Sequence, residues 1–151
     1  MAVDNSKLIY GGDMMLFITD GSSGQTPIAF STNAKITINM ATRETSSKDS
    51  GIWKEVQGAK FDWSVTSDQL AAFDVSGASN LTNLYSTMVA RSGVTMAFAS
   101  KSGATQQWTV DSTKKAFTGT IYITSLDINS PDNDTVTYSM SATGSGELAL
   151  A

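Results

Sequence analysis

The chain has 151 residues, 40% hydrophobic and 16% charged, which fits one domain with a real core and is too apolar for intrinsic disorder. Its net charge of −4 argues against ordinary phosphate-neutralising nucleic-acid binding, which needs clustered Lys and Arg. With neither Cys nor His, it can build no disulfide, no thiolate or imidazole metal site, and no Ser/His/Asp or Cys/His relay.

Ser and Thr are abundant, and Thr-rich stretches alternate with Val, Ile, Phe and Tyr, as in strands with one buried side. Strands are expected within residues 8–18 and 28–30, joined by a Gly/Ser turn at 21–24. Gly11, Gly12 and Asp13 break the first apolar stretch, so it does not read as a secretory signal. No run reaches the roughly 20 apolar residues of a membrane-spanning helix. Ile36, Ile38 and Met40 then alternate with Lys35, Thr37 and Asn39. The pattern returns as Phe61, Trp63 and Val65 against Lys60, Asp62 and Ser64, giving two amphipathic strands.

Between them, residues 42–60 carry four basic and three acidic side chains, over a length far beyond an ordinary hairpin connection. Ile52, Trp53 and Val56 lie among Arg43, Glu44, Lys48, Asp49, Lys54 and Glu55. Aromatic and aliphatic anchors inside a charged rim are the make-up of an interface. These nine residues are therefore the candidate contact set of an assembly arm, expected to be mobile in a free subunit and ordered between subunits. The bland alternative is a solvated hairpin tip.

One helix is expected over about 80–91. Leu81, Leu84, Tyr85, Met88 and Val89 form an apolar stripe that should pack on the sheet, Ser79 or Asn80 is placed to cap its start, and Arg91 with Gly93 marks its end. Strand alternation resumes at Val94, Met96 and Phe98, a turn is expected at 101–103, and Trp108 with Val110 opens the next strand. From Phe117 the apolar parity is odd through Ile121 and Ile123 and even at Leu126 and Ile128. That change of phase implies a bulge or bend near Thr124 and Ser125. Residues 131–134 form a turn. Val136, Tyr138, Met140 and Ala142 mark the last strand, whose parity continues to Leu148 and Leu150 across a flexible 144–146. No internal repeat is evident. The expected fold is mainly β: a single-domain antiparallel β-sandwich or barrel over residues 1–151, with one flanking α-helix and a long β-hairpin arm.

Candidate chemistry is thin. Ser112 and Lys115 match a bare Ser-x-x-Lys pattern with no supporting motif, and Asp132 and Asp134 fit a polar turn better than a calcium loop. No catalytic residue, cofactor site or metal site is assigned. Trp63 reads as core and Trp53 as exposed, which leaves a poor platform for stacking sugars.

Three stretches together resemble the tail tube (major tail) proteins of long-tailed bacteriophages. They are the polar arm from Glu44 to Gly51 with Trp53 and the return strand from Trp63 to Thr66; the helix-to-strand passage from Leu84 to Thr95; and the stretch from Gly119 to Gly146 containing Ile123, Leu126, Pro131, Tyr138 and Met140. The resemblance implies a structural virion protein rather than an enzyme, stacking as hexameric rings into a tube for DNA ejection. It further implies that the hairpin at 42–60 contacts neighbouring subunits or rings, and that the terminal segments help join rings. The implied partners are other copies of the chain and the tape measure, tail terminator and baseplate proteins, with DNA passing without sequence-specific binding and no membrane involved. The implied location is the virion tail, after synthesis in the bacterial host cytoplasm. The competing reading is a carbohydrate-binding or adhesin-like β-sandwich module, against which the lack of a secretion signal counts.

Overall fold

The computed structural model describes residue 4 and residues 8–19, 25–73, 80–104 and 107–151. In chain order these form β1 (Met14–Thr19), β2 (Gln25–Pro27), β3 (Ser31–Glu44), β4 (Val56–Leu70), α1 (Leu81–Ala90), β5 (Val94–Ala104), β6 (Gln107–Val110), β7 (Phe117–Asn129) and β8 (Thr137–Leu150). Every strand pairing is antiparallel. The sheet runs β2-β1-β5-β7-β8-β4-β3, and β6 pairs with β5 off that path. Its ends are not hydrogen-bonded to each other, yet both turn onto one core. Leu16 and Ile18 from β1 cluster with Trp63 and Val65 from β4, Ile121 and Ile123 from β7, and Tyr138 and Met140 from β8, while Ala34 and Ile36 of β3 pack against them. The result is the expected mainly-β, sandwich-like fold.

A second cluster, Phe17 with Ala97, Ala99 and Ala116, lies on the opposite faces of β1 and β5. These two strands are covered on both sides, which is why their sequences run apolar instead of alternating. The expected strand over 8–18 is shorter than anticipated. It begins at Met14, behind a 3-10 turn at Gly11–Asp13, and Leu8, Ile9 and Tyr10 are exposed. The second strand ends at Pro27, before the expected 28–30, and the 101–103 turn is absent because β5 continues to Ala104. The Gly/Ser turn at 21–24 lies outside the described residues.

Helix α1 starts with a reciprocal cap. Asn80 Oδ1 accepts from the Asn83 N–H at 3.2 Å, and Asn83 Oδ1 accepts from the Asn80 N–H at 3.3 Å, satisfying donors the helix leaves open. The helix ends at Arg91, whose φ of 59° makes it the left-handed C-cap. Gly93 therefore has a different use: a Cβ there would come within 3.0 Å of Thr120 and Tyr122. Of the predicted stripe, Leu81 and Leu84 are buried and Met88 is half-buried against the core, whereas Tyr85 and Val89 are exposed. Burying each leucine stabilises the fold by about 1.5–3 kcal/mol.

The predicted phase change in β7 is a register shift against β8 between Ile123 and Ser125, where Thr124 Oγ1 donates to the Ser141 carbonyl at 3.1 Å. A second shift lies between Thr118 and Thr120, whose partners are Ala149 and Ser145. It adds two residues to β8, which preserves parity and explains how the alternation reaches Leu148. Residues 144–146 do not act as a flexible link. A Cβ on Gly144 would lie 2.1 Å from the Trp63 indole, one on Gly119 would lie 2.6 Å from it, and Trp63 Nε1 donates to the Gly146 carbonyl at 3.1 Å. The two glycines make room for the ring, and Gly146 satisfies its one polar atom.

Candidate functional site

The β3–β4 hairpin changes character along its length. β4 pairs with β8 only from Ser64 to Leu70, but with β3 out to Val56. Beyond Ser64 the hairpin is therefore flanked by no other described strand and projects about 25 Å at the usual strand rise. Residues 38–49 and 51–62 are all exposed. The expected long connection at 42–60 is thus partly strand: Thr42 pairs with Gly58, Arg43 with Gln57 and Glu44 with Val56, leaving a tip of residues 45–55.

Between Met40 and Thr42 the register slips by one residue on β4. The slip matters because it puts Val56 and Gly58 opposite Glu44 and Thr42, on the β3 face that carries Ile38 and Met40. The Met40 sulfur indeed lies 3.0 Å from where a Gly58 Cβ would sit. One face of the arm therefore presents Ile38, Met40, Phe61 and Val56, all exposed. On the other face, Arg43 Nη2 donates to Gln57 Oε1.

Hydrogen bonds hold the tip in shape. The Thr45 N–H donates to the Glu55 carbonyl at 3.0 Å, and the Glu55 N–H donates to Ser46 Oγ at 2.7 Å. Ser50 Oγ accepts from the Ser47 N–H at 2.9 Å and donates to Glu55 Oε2 at 3.2 Å. Gly51 turns the chain at φ 77°, a conformation that favours glycine. Lys54 Nζ lies 3.8 Å from Glu44 Oε2 in an exposed pair. Lys48 and Asp49 are exposed beside them, and Ile52 and Trp53 stand 92% and 79% exposed at the summit. All nine predicted arm residues lie together on this projection. Sequence reasoning missed Ile38, Met40 and Phe61, which alternate like core residues. What exposes them is the end of the β4–β8 ladder, and local sequence carries no signal of that.

The other candidates stay scattered. Ser112 and Lys115 are exposed on the β6–β7 turn. There the Asp111 carboxylate accepts from Oγ1 and N–H of Thr113, and these bonds hold its pKa below the ordinary value. Asp132 and Asp134 lie on the β7–β8 turn, and no group of three metal-ligating side chains occurs among the described residues. Trp63 is buried and Trp108 is half-buried under Lys101, so Trp53 alone stands out, in contrast to the flat aromatic platform a sugar-binding module would need. No helix among the described residues is long and apolar enough to cross a membrane.

A family model described as phage tail tube protein matches residues 9–149. The chain belongs to that family. No curated protein matches it in sequence. Its fold is shared with a chain from the tail of an empty gene transfer agent particle of C6 symmetry, at 17% identity and a TM-score of 0.74, covering 95% of this chain and 99% of that one. It is also similar to the SPP1 tail tube, at 15% identity and a TM-score of 0.70 over 93% of this chain and 78% of that one. A chain of the anti-feeding prophage baseplate matches at 8% identity and a TM-score of 0.61, over 100% and 97% of the two chains. As a member of the tail tube family, the protein is a structural component of a virion tail.

Proposed function

We propose that copies of this chain form hexameric rings that stack into the conduit for genome ejection, and that the arm at 42–60 joins neighbouring subunits or rings. The observation that carries this reading is the arm's exposed apolar face: Ile38, Met40, Phe61, Val56, Ile52 and Trp53 are exposed, with no covering partner among the described residues. Side chains of this kind are desolvated on association, and central aromatic anchors contribute most to such contacts. Six-fold symmetry is supported by the gene transfer agent tail. The strands reach further into the arm than its sequence implied and hydrogen bonds hold the tip, so assembly has mainly the exposed side chains of the tip left to order.

In this reading the tube meets tape measure, tail terminator and baseplate proteins, and its subunits are made in the host cytoplasm. The net charge of −4 suits a conduit that DNA slides through, because like charge discourages sticking. The protein works by packing, without catalysis or cofactor. Negative-stain microscopy of the purified chain tests the proposal: six-fold rings or tubes are expected, and a protein that stays monomeric at high concentration would contradict it.

A further inference from the structure

The start of β3 lies at the opposite end of the molecule's longest hairpin from the arm tip. There the 3-10 turn before β1, the β2–β3 connection and the β5–β6 pair enclose a groove of about 940 Å³. Met14, Met15, Phe98 and Trp108 supply its apolar walls, and Lys101, the one charged residue among the described residues lining it, sits 4.3 Å over the Trp108 ring. Phe30 also lines the groove, exposed, at φ 54°. A bulky side chain rarely adopts that left-handed conformation, and here the Leu70 N–H donates to its carbonyl at 3.1 Å. Backbone strain held by its surroundings concentrates at clamps and contact sites.

We propose that this groove receives the arm tip of a neighbouring copy, with Trp53 and Ile52 entering between Phe30 and Trp108. The inference rests on the reading of the arm as an assembly contact and names the surface it contacts. Knob and groove sit on one continuous strand: Ala34 lines the groove and Glu44 marks the base of the tip, about 30 Å apart at the strand rise. The tip therefore cannot turn back into its own groove, and a tip that enters it comes from a second copy. A contact between different patches of successive copies is head-to-tail and propagates, as a ring or filament requires. The tip, residues 45–55, is neutral overall, with Lys48 and Lys54 against Asp49 and Glu55; Lys54 is turned to Glu44, which leaves the Asp49 and Glu55 carboxylates as the tip's groups of opposite charge to Lys101. The groove is of a size that encloses side chains in known binding sites.

The chain contains no cysteine, so introduced pairs report without background. In the double variant Ile52→Cys/Thr32→Cys, Trp53 and Phe30 stay in place. Oxidation of its assembled form is expected to give a ladder of covalent multimers on non-reducing gels, whereas each single variant stops at dimers. On the unaltered protein, assemblies of mixed light and isotopically heavy subunits treated with a carbodiimide should yield light-to-heavy links from Lys101 to Asp49 or Glu55 by mass spectrometry. Assemblies that show neither the ladder nor these links overturn the proposal. So does a ladder from Leu8→Cys/Thr32→Cys in their place, which would put the chain's N-terminal segment in the groove. The two readings fail differently: a protein with a shortened arm that still builds tubes defeats the arm itself, whereas tubes without these links defeat only the groove.

Discussion

Trp53 and Trp63 belong to one hairpin and face opposite fates. Trp63 is 4% exposed, seated against Gly119 and Gly144 with its N–H bonded to Gly146, whereas Trp53 is 79% exposed at the tip. The difference lies in what stands beside the strand. Where β8 flanks β4, the apolar face is core; where β8 is absent, the same alternation becomes a surface that none of the described residues covers. One half of the hairpin stabilises the subunit, and in the proposed assembly the other joins subunits.

The sharpest way to break that contrast is to truncate both rings. Trp63→Ala should destabilise the subunit by about 3–5 kcal/mol, measured by urea denaturation. Trp53→Ala should move the same midpoint by no more than about 0.5 kcal/mol while abolishing tubes seen by microscopy. Equal effects on stability would erase the distinction between the two halves.

Helix α1 repeats the contrast on a smaller scale. Leu84 is buried beside exposed Tyr85, so Leu84→Ala should cost about 2–5 kcal/mol and Tyr85→Ala about 0.5 kcal/mol or less in thermal or urea melts. A smaller effect concerns Tyr138, whose buried hydroxyl has no hydrogen-bond partner among the described residues and whose pKa burial pushes up to about 12. The unfolded phenol ionises near 10. The folded chain therefore keeps this proton between about pH 10 and 12 while the unfolded chain loses it, and stability falls as pH rises through that window. Tyr138→Phe should remove this dependence and leave stability at pH 7 unchanged or higher by about 1 kcal/mol. Melts that fall as steeply in the variant would assign the alkaline loss to other groups.

The sequence was informative wherever a period of two, a phase change or a capping residue acts locally. The alternations in β4 and β8, the bulge after Ile123 and the helix begun by Asn80 were all legible. Coverage was not, because it depends on which strand arrives from far along the chain. Ile38, Met40 and Phe61 carry the same pattern as Val65 and differ only in lacking a neighbour. Gly144 looked like a hinge because the ring that fills its space lies on another strand. Phe30 and Lys101 gave no sign of a groove for the same reason. The nine arm residues stood out because mixed charge around aromatic and aliphatic side chains is unusual even without a fold, and the structure places them on one projecting hairpin.

The central claim is that folding and assembly are divided along this hairpin, and shortening the arm tests it most directly. Residues 45–55 would be replaced by a short Gly-containing turn, with circular dichroism melts to follow the fold and negative-stain microscopy to follow tubes. The account predicts a folded protein with an unchanged melting midpoint that no longer forms tubes; normal tubes from the shortened chain would contradict it.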